Sequence, residues 1–272
     1  MFKNLLFIIL LIAQLPLIAQ NKIHSIKGMY FQWGYNIESY TKSRIHIEMS
    51  NGNEFTLYDV KAKDKPDFDA IYKRPLDVSI PQYNYRIGFY LNDKKTKAIE
   101  INFDHAKYVV TDWQTVKVIG LIDNKLVEEL RVLDPKKFLH FEHTDGANWF
   151  HFNYVHQLEL FSKYNNKPKI NAIFKIGTGF NIPRTAFTWK GNRFNNNFHI
   201  AGYNFAFECG SRIYISPKFF LELTGKTGFV NYVNALVNTE TEKGNRATHN
   251  FGYIEGIATL GYDISFLKKK KK

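Results

Sequence analysis

The chain has 272 residues, 44% of them hydrophobic and 16% aromatic, with a net charge of +12 and one cysteine, Cys209. A single cysteine excludes an internal disulfide framework. Lys3 supplies one positive charge and Lys268 to Lys272 five more, which leaves the body about +6, too little for a nucleic-acid footprint.

Residues 1–20 open Met1-Phe2-Lys3-Asn4, run through an apolar stretch at 5–17 and reach Ala19. A basic start, a short greasy core and a small residue make a cleaved secretory signal peptide. The apolar run falls short of the roughly 18 to 20 residues of a spanning helix, and Gln14 interrupts it. No later segment reaches that length free of charges and turn signals, so insertion into a bilayer would be by strands. The body, 21–267, suits one all-β domain, followed by a solvated lysine tail at 268–272.

Large rings scattered among polar residues, at a mean hydropathy of −0.32, fit strands that show one face to lipid and the other to a lumen. Over 28–38, Phe31, Trp33, Tyr35 and Ile37 alternate with Gln32, Gly34 and Asn36, a period of two. Ile45, Ile47 and Met49 oppose Arg44, His46 and Glu48, and Asn51-Gly52 offers a tight hairpin into a weaker strand at 54–61. Residues 61–79, with Pro66 and Pro75, read as an exposed loop.

The clearest hairpin follows. Tyr83, Tyr85, Ile87, Phe89 and Leu91 alternate with Asn84, Arg86, Gly88 and Tyr90; Asn92-Asp93-Lys94 turns the chain; Ile99, Ile101 and Phe103 alternate with Glu100, Asn102 and Asp104. Residues 112–147 are the longest interruption, where 124–133 fits a helical turn or a strand extension equally. Strands are then expected at 148–161, 170–180, 197–214, 219–230 and 251–266, with a polar loop over 231–250. His156 falls on the apolar face of its strand, which a bulge or a rim position would explain. Trp113, Trp149, Trp189 and Tyr232, near loop junctions, are expected in an interfacial aromatic belt.

The expected fold is thus an all-β, transmembrane, antiparallel up-and-down barrel of about ten strands, with short periplasmic turns and long extracellular loops. Entry and exit on the periplasmic side require an even number, and eight is the count if 44–61 lies outside the wall. Gly261, Tyr262, Ile264 and Phe266 close the last strand with an aromatic end, a pattern that resembles the C-terminal signal by which the barrel-assembly machinery recognises its substrates.

The lumen-facing set contains Arg86, Lys175 and Lys226 with Glu100, Asp104, Glu159, Glu208, Glu222 and Glu255. In a small barrel filled by side chains, such charges should pair, because a lone ion away from water is costly. The candidate chemistry is Phe141-Glu142-His143-Thr144-Asp145-Gly146, with His151 on the strand beyond: His143 as a base for Thr144, oriented by Asp145 or Glu142. This segment resembles outer-membrane lipid A deacylases, which carry a His and a Ser close together near the outer rim. Here Thr144 directly follows His143, so on a strand the two point to opposite faces, and Asp145-Gly146 is also a good turn. No metal spacing is recognised around His140 and His143, and no cofactor or metal is expected.

With the 80–90 hairpin, the 58–64 segment and 141–146, the chain resembles uncharacterised outer-membrane barrel proteins of Bacteroidota-type bacteria. That resemblance implies a bacterial outer-membrane location, outer-membrane lipid and lipopolysaccharide as neighbours, and no activity. The expected role is a non-enzymatic barrel, an anchor with binding loops or a narrow pore; the alternative is an envelope-lipid hydrolase or acyltransferase.

Overall fold

The computed structural model describes residues 26–74, 82–162 and 169–265. The expected signal peptide, Phe266 and the lysine tail lie outside the described residues. In chain order the elements are β1 (Gly28–Tyr40), β2 (Ser43–Glu48), β3 (Glu54–Val60), β4 (Ala62–Lys63), the short helix α1 (Phe68–Lys73), β5 (Tyr83–Tyr90), β6 (Lys97–Asp104), β7 (Tyr108–Val110), β8 (Thr115–Ile122) and β9 (Lys125–Val132). There follow β10 (Leu139–His143), β11 (Trp149–Phe161), β12 (Lys169–Asn181), β13 (Ala186–Trp189), β14 (Asn192–Asn195), β15 (Gly202–Tyr214), β16 (Phe219–Leu236) and β17 (Arg246–Ser265).

Eight strands form the wall. β1, β5, β6, β11, β12, β15, β16 and β17 pair antiparallel in that order, and β17 returns to β1 from Gly28↔Ser265 to Tyr40↔Tyr253. A ring closed in this way leaves no strand edge. Its outer face is apolar, as the alternation predicts for Phe31, Ile37, Ile87 and Ile101; these and Phe152, Ile176, Phe205, Leu223 and Leu260 are all more than a third exposed. Its inner face is polar and buried. Every strand of the ring thus turns large apolar side chains outward, exposed apolar surface of the kind that marks an interaction or membrane-facing site.

Of the two counts the sequence allows, about ten and eight, the ladders of the described residues give eight. β2 does not add to the ring; it continues β1 along the same edge of β17, pairing Arg44↔Asn250 through Glu48↔Arg246 beyond the break at Thr41. There the Thr41 amide donates to the Gly252 carbonyl at 2.9 Å and the Gly252 amide to Thr41 Oγ1, also at 2.9 Å. From β2 the sheet extends through β3 and β8 to β9.

All four long connections leave the same end of the ring, and three of them build a cap there. The β17–β2–β3–β8–β9 extension forms one layer and the sheet β14-β13-β10-β7-β4 the other. Ile45, Ile47, Phe55, Leu57, Val116 and Val118 of the first belong to one buried cluster with Tyr108, Leu139, Phe141, Phe187 and Trp189 of the second. This is sandwich packing, each sheet burying its apolar face against the other. The interruption at 112–147 therefore resolves largely into strands: β8 and β9 are a hairpin turned by Asp123 (φ 52°) and Asn124 (φ 61°), residues that tolerate the left-handed region. The 61–79 loop holds β4 and α1, while residues 75–81 lie outside the described residues.

Lumen rings need space that glycine supplies. A Cβ on Gly88 would lie 2.0 Å from Tyr30 Cζ, and one on Gly261 would lie 2.2 Å from the Phe220 ring. Tyr30 and Phe220 are fully buried and meet edge-on at 6.1 Å, closing the lumen toward the short-turn end.

Candidate functional site

Three places hold the functional side chains. The first is the lumen. Lys175 on β12 extends its Nζ to Glu222 (2.7 Å) and Glu208 (3.3 Å), and donates to both oxygens of Glu100 at 3.1 Å. Arg86 on β5 meets Glu208 at 2.6 Å and Glu222 at 3.5 Å. Lys226 on β16 bridges Asp104 and Glu255, the latter at 3.2 Å. Neutral donors complete the shells: Tyr30 Oη to Glu100 at 2.6 Å, Gln32 to Glu222 at 2.9 Å, and Asn36 to Glu255 at 2.8 Å. Charges this deep persist because each is paired and hydrogen-bonded.

One predicted member lies elsewhere. Glu159 has lumen parity but sits at the short-turn end, beside a bulge in the β11–β12 ladder, where it is exposed and pairs with Lys169 at 2.7 Å. Parity fixes the face of a strand and not the height. Sequence reasoning also missed Arg212, fully buried, with Nη2 2.6 Å from Glu222 and its guanidinium stacked 4.1 Å over the Phe220 ring. Its signal was available: Asn204, Glu208 and Arg212 share parity on one strand.

The second place is the cap core. His143 on β10 is fully buried, its Nε2 3.1 Å from Nε2 of His249, so that one ring nitrogen donates and the other accepts. Burial, and then the neighbouring His249, hold the His143 imidazole well below its usual range. The four catalytic candidates are not brought together. His143 faces His249; Thr144 and Asp145 lie in the turn that follows β10, where Asp145 pairs with Arg184 at 3.1 Å. His151 points into the lumen, 3.5 Å from Asp104.

The aromatic expectation is corrected here too. Trp149 and Tyr232 are fully buried, joined by a 3.0 Å hydrogen bond from Trp149 Nε1 to the tyrosine hydroxyl, and Trp189 packs inside the cap. The ring's own aromatics near the cap are Trp33, Tyr35, Tyr83, Tyr85, Phe103, Phe150 and Phe180, linked in chains of contacts at 4.8–6.0 Å. His156 stands on the outer face, paired with Lys97 and Phe174 in the ladder near the short-turn end.

The third place is an outer groove of the cap, bordered by Lys63, Asp64, Asp112, Trp113, His140 and Glu142. His140 is held between Asp112 Oδ1, 2.6 Å from Nδ1, and Glu142 Oε2, 3.3 Å from Nε2, while Arg193 binds the other Glu142 oxygen at 2.7 Å. The hydrogen bond to Glu142 raises the His140 pKa, against burial and with help from Asp112. Burial alone would push the Glu142 carboxyl up, but His140 and Arg193 outweigh it and bring it down to about 2.

A pH dependence follows from the two shifts. The raised His140 contributes fully below its unfolded value of about 6.5, and that contribution fades as pH rises through the higher folded value. The lowered Glu142 contributes fully above its unfolded value of about 4.5 and fades as pH falls toward about 2. His140→Gln should therefore destabilise the cap most at about pH 5.5 and much less at about pH 9. Denaturant midpoints of wild type and variant at the two pH values measure this; equal differences would refute it.

No protein-family model matches the chain, and no curated protein does. Solved structures similar to it are outer-membrane β-barrel proteins. Among them, OprG from Pseudomonas aeruginosa shares 9% identity at a TM-score of 0.40, over 89% of this chain and 98% of its own. The outer membrane protein AlkL shares 8% at 0.38, over 93% and 97%. The outer membrane protease OmpT from Escherichia coli shares 7% at 0.37, over 91% and 99%. At these scores nothing of their activities carries over.

Proposed function

We propose that this chain is a non-enzymatic outer-membrane barrel, an anchor whose eight-stranded wall carries a folded cap to the outside, and that the cap is its working surface. The observation that supports this reading is the lumen: Lys175, Arg86, Arg212 and Lys226 are each at most 2% exposed and each engaged by carboxylates. A conducting path needs sites an ion can enter and leave, and side chains locked in mutual pairs offer none. The partners that follow are outer-membrane lipid and lipopolysaccharide around the apolar band and the barrel-assembly machinery during insertion. Export by a cleaved signal peptide and a Bacteroidota-type origin belong to the same proposal. The lipid-hydrolase alternative loses support because its four residues face different surroundings.

The expected result in planar bilayers is the absence of conductance steps from the purified, heat-modifiable barrel, while external protease on whole cells reaches cap loops. Regular ohmic steps would overturn the anchor reading in favour of the pore.

A further inference from the structure

The outward face of the cap's first layer carries a cluster that neither the lumen nor the groove uses. His46 and Glu48 are two residues apart on β2 and so share a face, and Glu54 on β3 stands directly opposite Glu48 in the ladder. His46 Nε2 lies 3.2 Å from Glu48 Oε1 and 3.7 Å from Glu54 Oε1. One ligand atom from each of the three falls within 4.8 Å of the others.

Two carboxylates directly opposed across a ladder repel one another. Among the described residues, His46 is the ion-pair partner of both, and neither meets a lysine or arginine. Arg44 lies 4.9 Å over the Tyr58 ring, and Arg246, which stands opposite Glu48 in the β17–β2 ladder, donates to the Asn245 carbonyl at 2.8 Å. Nε2 and the two carboxylates thus converge on one point, within reach of a single cation. The other ring nitrogen is anchored from behind. Nδ1 is 3.0 Å from the Thr56 hydroxyl, and Thr56 is itself only 6% exposed. That hydrogen bond holds the ring with Nε2 toward the carboxylates, and Thr56 Oγ1 can accept from Nδ1–H when Nε2 takes a cation in place of its proton, the outer-shell arrangement that orients metal-bound histidines.

We propose that His46 Nε2, Glu48 and Glu54 bind one divalent transition cation of the zinc type. Imidazole and carboxylate ligands suit such ions better than magnesium, which keeps to oxygen. Three protein ligands leave a coordination position open. The side chains of Glu48 and Glu54 are 65% and 64% exposed, so that position faces the medium and can take water or a donor group from an external molecule.

The test is calorimetric titration of zinc chloride into the purified full-length barrel in detergent, with magnesium chloride as the comparison. Expected is saturation near one zinc per chain, no magnesium binding, loss of the zinc isotherm in His46→Ala, and affinity about tenfold lower in Thr56→Val, which removes only the outer-shell acceptor. His140→Gln, altering the other histidine–carboxylate cluster, should bind as wild type. If His46→Ala disturbs the cap, judged by near-ultraviolet circular dichroism, the exposed Glu48→Gln serves in its place. Absence of saturable zinc binding, an isotherm that survives both His46→Ala and Glu48→Gln, or one abolished by His140→Gln would each overturn the assignment.

Discussion

Replacing Lys175 with methionine is expected to cost the barrel about 3–5 kcal/mol, the penalty for removing one partner of a buried ionic network. Lys175 is 2% exposed, and its amino group pairs with Glu100, Glu208 and Glu222 together. Methionine keeps the volume and removes the charge, so three carboxylates are left to the remaining guanidinium groups of Arg86 and Arg212. Unfolding of the reconstituted barrel in denaturant, followed by its heat-dependent gel mobility, measures the loss. Lys175→Met combined with Glu100→Gln should recover part of it, since the two positions are in contact and not additive. A change below about 1 kcal/mol, the size of a surface pair, would mean that the lumen is wet and the network screened.

Phe55→Ala should open the cap and spare the wall. Phe55 is 1% exposed, its ring stacked on Trp189 at 5.2 Å and close to Phe138 at 6.0 Å. It joins the two layers, and its truncation is expected to cost about 3–5 kcal/mol. The wall strands do not depend on that contact, because their ladder closes between β17 and β1 below it. Limited proteolysis of proteoliposomes should cleave the variant within 105–148 far faster than wild type, with the heat-modifiable mobility of the barrel retained. Loss of both together would show that cap and wall unfold as one cooperative unit.

Much of the wall was legible in the chain. Phe31, Ile87 and Phe152 face outward and Gln32, Arg86 and Asn153 inward because side chains alternate along an extended strand whatever it pairs with. The same rule placed eight of the nine predicted lumen charges on buried positions. It failed for Glu159, whose face is right and whose height along the barrel puts it in solvent.

The rest depends on register and closure. Ile45 and Ile47 alternate as Ile99 and Ile101 do, yet the first pair is fully buried in the cap and the second faces outward. A sandwich strand and a barrel strand obey the same period, and only the partner across the apolar face distinguishes them. Trp149 and Tyr232 sit at loop junctions like interfacial aromatics, and the cap folded over them makes them core. The contact of Lys175 on β12 with Glu100 on β6 and Glu222 on β16, and that of His46 with Glu54, arise from which strands neighbour one another and at what offset. Alternation is written locally in the sequence and survives any pairing; the meeting of distant side chains is set by the hydrogen-bonded ladder, which exists only once the ring has closed.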